Sequence, residues 1–277
     1  MYGILLGEDP TPVIVPNGTY FAADLRAAAP HGAMLAYDLR NRGRSDAETD
    51  PVTRARGIAQ DIDDLEAVRR QRGLARMTLV AHSYVGEVVL HYAMRFPDHV
   101  ARVVAIAPSG YAVGYPDPPP PDPVAAEAFA RLTAFLRTPA GDDPVARCRS
   151  AWEILAPLYV GDPALASRIQ PWGRCEDANE RAWLATWTRD VEPSLRLSVP
   201  AAADLARVTC PVLLMHGTRD RSAPYAASEA WAARLPDARL LTIEDAAHAP
   251  WIEAPAVVGP ALRAFLGGAW PADAVRV

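Results

Sequence analysis

No lysine occurs anywhere in this sequence of 277 residues; its 28 cationic side chains are all arginine. We read that as a bias of genome composition, because arginine-based recognition needs clustering and these arginines are scattered. With 33 acidic residues the net charge is −5, and no clustered basic face argues for a nucleic-acid partner. Cysteine is scarce, with only Cys148, Cys175 and Cys210. An odd count without CxxC spacing suggests neither a disulfide framework nor a zinc knuckle, so reduced thiols in a cytoplasm are expected. No window reaches 18 apolar residues free of charge, so no membrane span or membrane partner is expected. Residues 1–10 lack the basic start and long apolar run of a signal peptide. No G-x-G-x-x-G turn precedes a helix and no histidine pair has metal-ligand spacing, so neither a cofactor nor a metal is expected.

What is present is an alternation. Apolar runs of strand length lie at 12–16, 33–37, 77–81, 100–107, 211–216 and 239–243, with helical patterns at 21–28, 58–71, 87–96, 226–235 and 257–266. Runs rich in Val, Ile and Leu without clean alternation fit parallel strands buried on both faces. Their alternation with helices predicts an α/β fold with a mostly parallel, doubly wound sheet. One interval breaks the rhythm. From Pro108 to about Cys210 no strand pattern appears; a proline-rich entry at 116–123 leads into helical patterns at 124–137, 145–159, 163–169 and 179–187. Its place at the carboxyl edge of the strands predicts an α-helical cap over a pocket. The expected organisation is a core of residues 1–111 and 205–277 with a cap at 112–204. The N-terminus is short, with only the stretch 2–6 set before the first parallel strand, so no antiparallel strand is expected there.

Three segments carry chemistry. Residues 79–86 (LVAHSYVG) join a strand to a helix around Ser83. Residues 213–224 (LLMHGTRDRSAP) run from a strand into a loop bearing Asp220, and residues 247–255 (AHAPWIEAP) follow the last strand and bear His248. A serine hydroxyl is a weak nucleophile at neutral pH. A histidine can take its proton, and a carboxylate can hold the imidazole in the required tautomer. Each residue also has a plainer reading: Ser83 as a helix cap, Asp220 as a turn residue, His248 as a packed surface histidine.

These segments resemble the α/β-hydrolase family. LVAHSYVG is similar to its G-x-S-x-G elbow, with Ala81 at the first glycine and Val85 at the second; Gly86 follows one residue late. HGTRDRSAP resembles the family's acid loop and AHAPWIEAP its histidine loop, in the order Ser, Asp, His. PNGT at 16–19 stands where the family has an HG turn, and DLRNRGRSD at 38–46 resembles its D-x-R-G-x-G-x-S loop, with Asn41 in place of a glycine; asparagine tolerates positive φ. We read that second loop as structural.

The resemblance implies a carboxylesterase-like serine hydrolase acting on an ester or related acyl bond of a small, largely apolar molecule. Ser83, Asp220 and His248 would be catalytic, and the backbone N–H groups of Tyr84 and Thr19 would form the oxyanion hole. Tyr20, Tyr84, Trp152 and Trp183 are the expected substrate contacts, although Trp152, Tyr159, Trp172, Trp183 and Trp187 could equally pack a cap core. Among the other histidines, His82 should face the core or support the elbow, His31 and His216 are turn residues, and His91 and His99 are structural. Alternatives stay open: a proline-iminopeptidase-like peptidase, a non-hydrolytic lyase or cyclase, and a catalytically silent ligand-binding protein. The partner is a small-molecule substrate, and homo-oligomer formation stays open.

Overall fold

The computed structural model describes residues 1–114, 122–139, 141–169 and 174–277. The proline run through Pro121 and Trp172 lie outside the described residues. Seven strands form one sheet: β1 (Gly3–Leu6), β2 (Val13–Pro16), β3 (Met34–Tyr37), β4 (Met77–His82), β5 (Val100–Ile106), β6 (Val212–Gly217) and β7 (Ala238–Ile243). Their order is β1-β3-β2-β4-β5-β6-β7. Every pair is parallel except β1 with β3.

The β1 strand corrects the expectation that no antiparallel strand comes first. GILL is an edge strand of four residues in which exposed and half-buried positions alternate. Such a strand needs little apolar content, because its partner supplies the ladder and water covers one side. The interior strands behave otherwise: β2, β3 and β6 are buried along their whole length. Alternate residues serve opposite layers, as the pleat dictates. Leu79, Ala81, Val103 and Leu214 pack on one face of the sheet, and Val80, Val104, Leu213 and Met215 on the other.

The carboxyl edge gathers the segments singled out above. Ser83 directly follows β4, Asp220 lies three residues past β6 and His248 five past β7. Between β5 and β6 the chain forms helices at Pro123–Arg137, Pro144–Tyr159, Ala166–Ile169, Ala178–Arg181, Trp183–Thr186 and Glu192–Leu197, and no strand among the described residues. The chain leaving β5 is pinned by Glu87, a fully buried residue of the helix Tyr84–Arg95. Its carboxylate accepts from the Ser109 hydroxyl and from the N–H groups of Tyr111 (3.2 Å) and Ala112 (2.7 Å).

The cysteines need a second correction. Cys148, on the helix Pro144–Tyr159, is disulfide-bonded to Cys175, with a Cα separation of 5.6 Å. The pairing joins two short stretches of the helical insertion that touch only in the folded chain. Parity and CxxC spacing carry no trace of it. Cys210 is free and buried. We predict that iodoacetamide under denaturing, non-reducing conditions adds one carbamidomethyl group, on Cys210, and three after reduction. Three adducts without reductant, read by intact mass, would show the bridge to be open.

Candidate active site

The turn after β4 places Ser83 at φ 59°, ψ −139°, a conformation that costs a non-glycine residue about 1–3 kcal/mol and persists only where surroundings impose it. Here the Ser83 N–H donates to the Ile106 carbonyl at 2.9 Å and the Ser83 carbonyl accepts from the Gly86 N–H at 2.8 Å. Val85 is accommodated, 2% exposed. The tight approach falls on Gly86, where a Cβ would stand 3.1 Å from the Pro108 Cβ. Ser83 occupies the cap position of its helix but makes no side-chain cap hydrogen bond, which removes the helix-cap reading.

Its hydroxyl is turned instead to His248, with Oγ 2.9 Å from Nε2. The other ring nitrogen, Nδ1, is 2.7 Å from Asp220 Oδ2. A carboxylate only accepts, so Nδ1 carries the proton and Nε2 of the neutral ring accepts from the serine. His248 is fully buried, which removes the surface reading. The turn reading of Asp220 holds alongside the chemical one: Oδ1 accepts from the N–H groups of Ser222 (2.7 Å) and Ala223 (2.8 Å), while Oδ2 faces the imidazoles. The loops of Asp220 and His248 meet at Gly217, where any Cβ would collide with the Ala246 carbonyl.

Two further histidines hold this group in place. His216, expected to be a turn residue, is fully buried. Its Nε2–H lies 3.0 Å from both Asp220 Oδ2 and the Ala223 carbonyl, and its Nδ1 accepts from the Ser228 hydroxyl at 2.7 Å. Burial alone would raise the Asp220 pKa, but electrostatic attraction and hydrogen bonds from the His248 and His216 ring N–H groups outweigh it and hold the carboxyl well below its ordinary value. His82 supports the elbow, as expected. Its Nε2–H donates to the His248 carbonyl at 2.8 Å and its Nδ1 accepts from the Tyr20 hydroxyl at 2.7 Å. Burial first, then the proximity of His248, pushes its pKa well down, so the ring stays neutral.

Above Ser83 lies a cavity of about 330 Å³, within the range of small-molecule sites. Tyr20, Tyr84, Trp152 and Trp183 all line it, with Tyr159 and Trp187. Asn17 also lines it, at φ 51°. Thr19 turns its hydroxyl to Asp38 and is not among the lining side chains. The Tyr84 N–H, first in its helix, has no acceptor within that helix. The loop at 38–46 corrects the purely structural reading. Asn41 does take the glycine-like φ of 61°, but Asp38 and Arg42 reach the cavity wall. Arg174 and Glu180, from the helical insertion, join them there, and no sequence signal had marked either.

The sequence pattern of the alpha/beta hydrolase family matches residues 13–261. The chain belongs to that family. Among named members, a putative carbamate hydrolase, RutD, of Caulobacter sp. (strain K31) is 26% identical over 254 residues, 91% of this chain and 87% of its own. The pimeloyl-[acyl-carrier protein] methyl ester esterase of Aromatoleum aromaticum is 34% identical over 177 residues, 61% of this chain and 66% of its own. In fold, the 2-hydroxy-6-oxo-6-phenylhexa-2,4-dienoate hydrolase of Rhodococcus sp. strain RHA1 superposes with a TM-score of 0.71 at 21% identity, covering 93% of this chain and 91% of that one. No helix among the described residues of this hydrolase is long and apolar enough to cross a membrane.

Removing one partner of a buried charge costs about 3–5 kcal/mol. We expect His216→Ala to lower the unfolding free energy by about 3 kcal/mol at pH 7, measured by urea titration. A carboxyl depressed in the folded state stabilises above its unfolded pKa, about 4, and that contribution is lost as pH falls. The gap between variant and wild type should therefore narrow below about pH 4. An unchanged stability at pH 7 would remove His216 from its supporting role.

Proposed function

We propose that this chain is a serine hydrolase that cleaves an ester or related acyl bond of a small, largely apolar molecule through an acyl-enzyme on Ser83. The observation that carries the proposal is the continuous path from Ser83 Oγ to His248 Nε2 (2.9 Å) and from His248 Nδ1 to Asp220 Oδ2 (2.7 Å), at the floor of an aromatic cavity. Ser83 attacks the carbonyl carbon as His248 takes its proton. Asp220 fixes the imidazole tautomer and stabilises the imidazolium. The N–H groups of Tyr84 and Thr19 receive the oxyanion, that of Tyr84 aided by the positive end of its helix. The leaving group departs with the proton from His248, and a water activated by the same residue releases the acid.

The helical segment 112–204 acts in this proposal as a cap, since Leu132, Trp152, Leu155 and Trp183 stand on the cavity wall. The names of the relatives, a carbamate hydrolase and a methyl ester esterase, favour an acyl–oxygen or acyl–nitrogen bond as the target. The proposal keeps the cytoplasmic setting expected from the sequence. The Cys148–Cys175 bridge is the observation that weighs against it, because cytosolic thiols are mostly kept reduced.

The test is intact-mass spectrometry after treatment with a fluorophosphonate. One adduct on the wild type and none on Ser83→Ala is the expected result, with a loss of about 10⁴-fold or more in kcat on a screened ester for the variant. Wild type that takes no label and turns over no ester or amide would overturn the acyl-enzyme mechanism.

A further inference from the structure

Arg42 is 4% exposed, yet no carboxylate oxygen among the described residues lies within 4.0 Å of its guanidinium. Its hydrogen-bond partners among the described residues are neutral: Nε donates to the Tyr84 hydroxyl at 3.2 Å and one terminal nitrogen to the Asn41 carbonyl at 3.0 Å. The neighbouring arginines contrast with it. Arg40 grips Asp64 with two hydrogen bonds, at 2.9 and 3.0 Å, and Arg174 pairs with Asp38 at 2.8 Å. A buried charge is expensive unless paired, and Arg42 stands on the wall of the cavity that contains Ser83.

The guanidinium carbon sits 3.8 Å from the Trp183 ring centre, and the Trp183 and Tyr84 rings stack at 5.9 Å. Contact with an aromatic face favours the cation, and a guanidinium edge matches a planar carboxylate. Two carboxyls feel this charge, those of Asp61 and Glu180, but neither pairs with the guanidinium within 4.0 Å. Burial raises the Asp61 carboxyl to about 7 and also raises that of Glu180, despite the pull of Arg42 on each. The distance to the reacting centre is set by Tyr84: its backbone follows Ser83 and its hydroxyl touches Arg42.

We infer that Arg42 is an anion seat, and that the substrate is an acyl compound carrying a carboxylate at the end remote from the bond that Ser83 attacks. This deepens the acyl-transfer reading and rests on it. The apolar body of the substrate lies along Trp183 and Tyr84, its carboxylate on the Arg42 guanidinium and its scissile carbonyl over Ser83.

The test pairs the monomethyl esters of adipic, suberic and terephthalic acids, which keep one carboxylate, with the corresponding dimethyl esters. For wild type, kcat/KM should favour the half-ester by about tenfold or more in at least one pair, the scale of one hydrogen bond to a charged group. Arg42→Met should abolish that preference through KM, and Arg42→Lys should keep part of it, with Tm reporting that each variant folds. Equilibrium binding of the same pairs to Ser83→Ala, followed by tryptophan fluorescence, gives the charge preference without turnover and without altering Arg42. Wild type that prefers the diester in every pair, or a preference that survives Arg42→Met, overturns the anion seat. Fluorophosphonate labelling of Ser83 separates the two readings: a labelled serine with no anion preference sinks this inference alone, and charge-selective binding without labelling sinks the acyl-enzyme alone.

Discussion

A carboxylate with a fully buried side chain has to be satisfied on every side, and Asp220 sets the terms for the carboxyl edge of this sheet. Its two oxygens accept from two backbone N–H groups and two imidazoles. Each of those donors must be held where it stands, so the constraint spreads outward. Ser228 fixes the tautomer of His216, and the Ser83 hydroxyl meets the nitrogen of His248 that Asp220 leaves bare. His82 then ties the strand end before Ser83 to the backbone of His248, so the three loops are cross-braced by histidines rather than by apolar contact alone. Low local dielectric strengthens each of these bonds and makes an unpaired member costly.

The helical insertion is built into the same brace. The Ala249 N–H donates to the Tyr159 carbonyl at 3.0 Å, and Glu253 accepts from both the Ala247 N–H (2.6 Å) and the Gly161 N–H (2.7 Å). The Tyr159 ring lies edge-on to the His248 ring, with centres 5.1 Å apart. One end of the cavity wall is therefore fixed to the loop that carries the imidazole. At the far side Asp38 plays a comparable part. It receives the Thr19 hydroxyl, the Arg44 N–H and the Arg174 guanidinium, and so joins the turn after β2, the loop after β3 and the insertion. Gly43 is glycine because a Cβ there would collide with Asp38 and Arg174. Arg42, next to it, has no such partner and is left facing the cavity with its charge.

The sheet was legible because its interior strands are buried on both faces. Continuous runs such as VIVP and VLLM are a local consequence of burial and need no knowledge of neighbours. Ser83, Asp220 and His248 stood out as candidates because each sits a few residues past a strand end, a relation written along the chain. The edge strand β1 was missed because a four-residue ladder on an exposed edge imposes little composition. The Cys148–Cys175 bridge and the supporting part played by His216 were missed for a different reason: each depends on an approach that the chain makes only once folded.

The sequence by itself determined a mostly parallel sheet of apolar strands and set Ser83, Asp220 and His248, as candidates, just past the ends of three of them. Burial period and residue type are properties of the chain. The tertiary structure decided which side chains meet. It turned Ser83 away from capping its helix and toward an imidazole. It brought Arg174 and Glu180 of the insertion beside the loop after β3, and left Arg42 buried on a tryptophan without a carboxylate. Charges separated by more than a hundred residues become neighbours only through packing, so their pairing, or the lack of it, cannot be read along the chain.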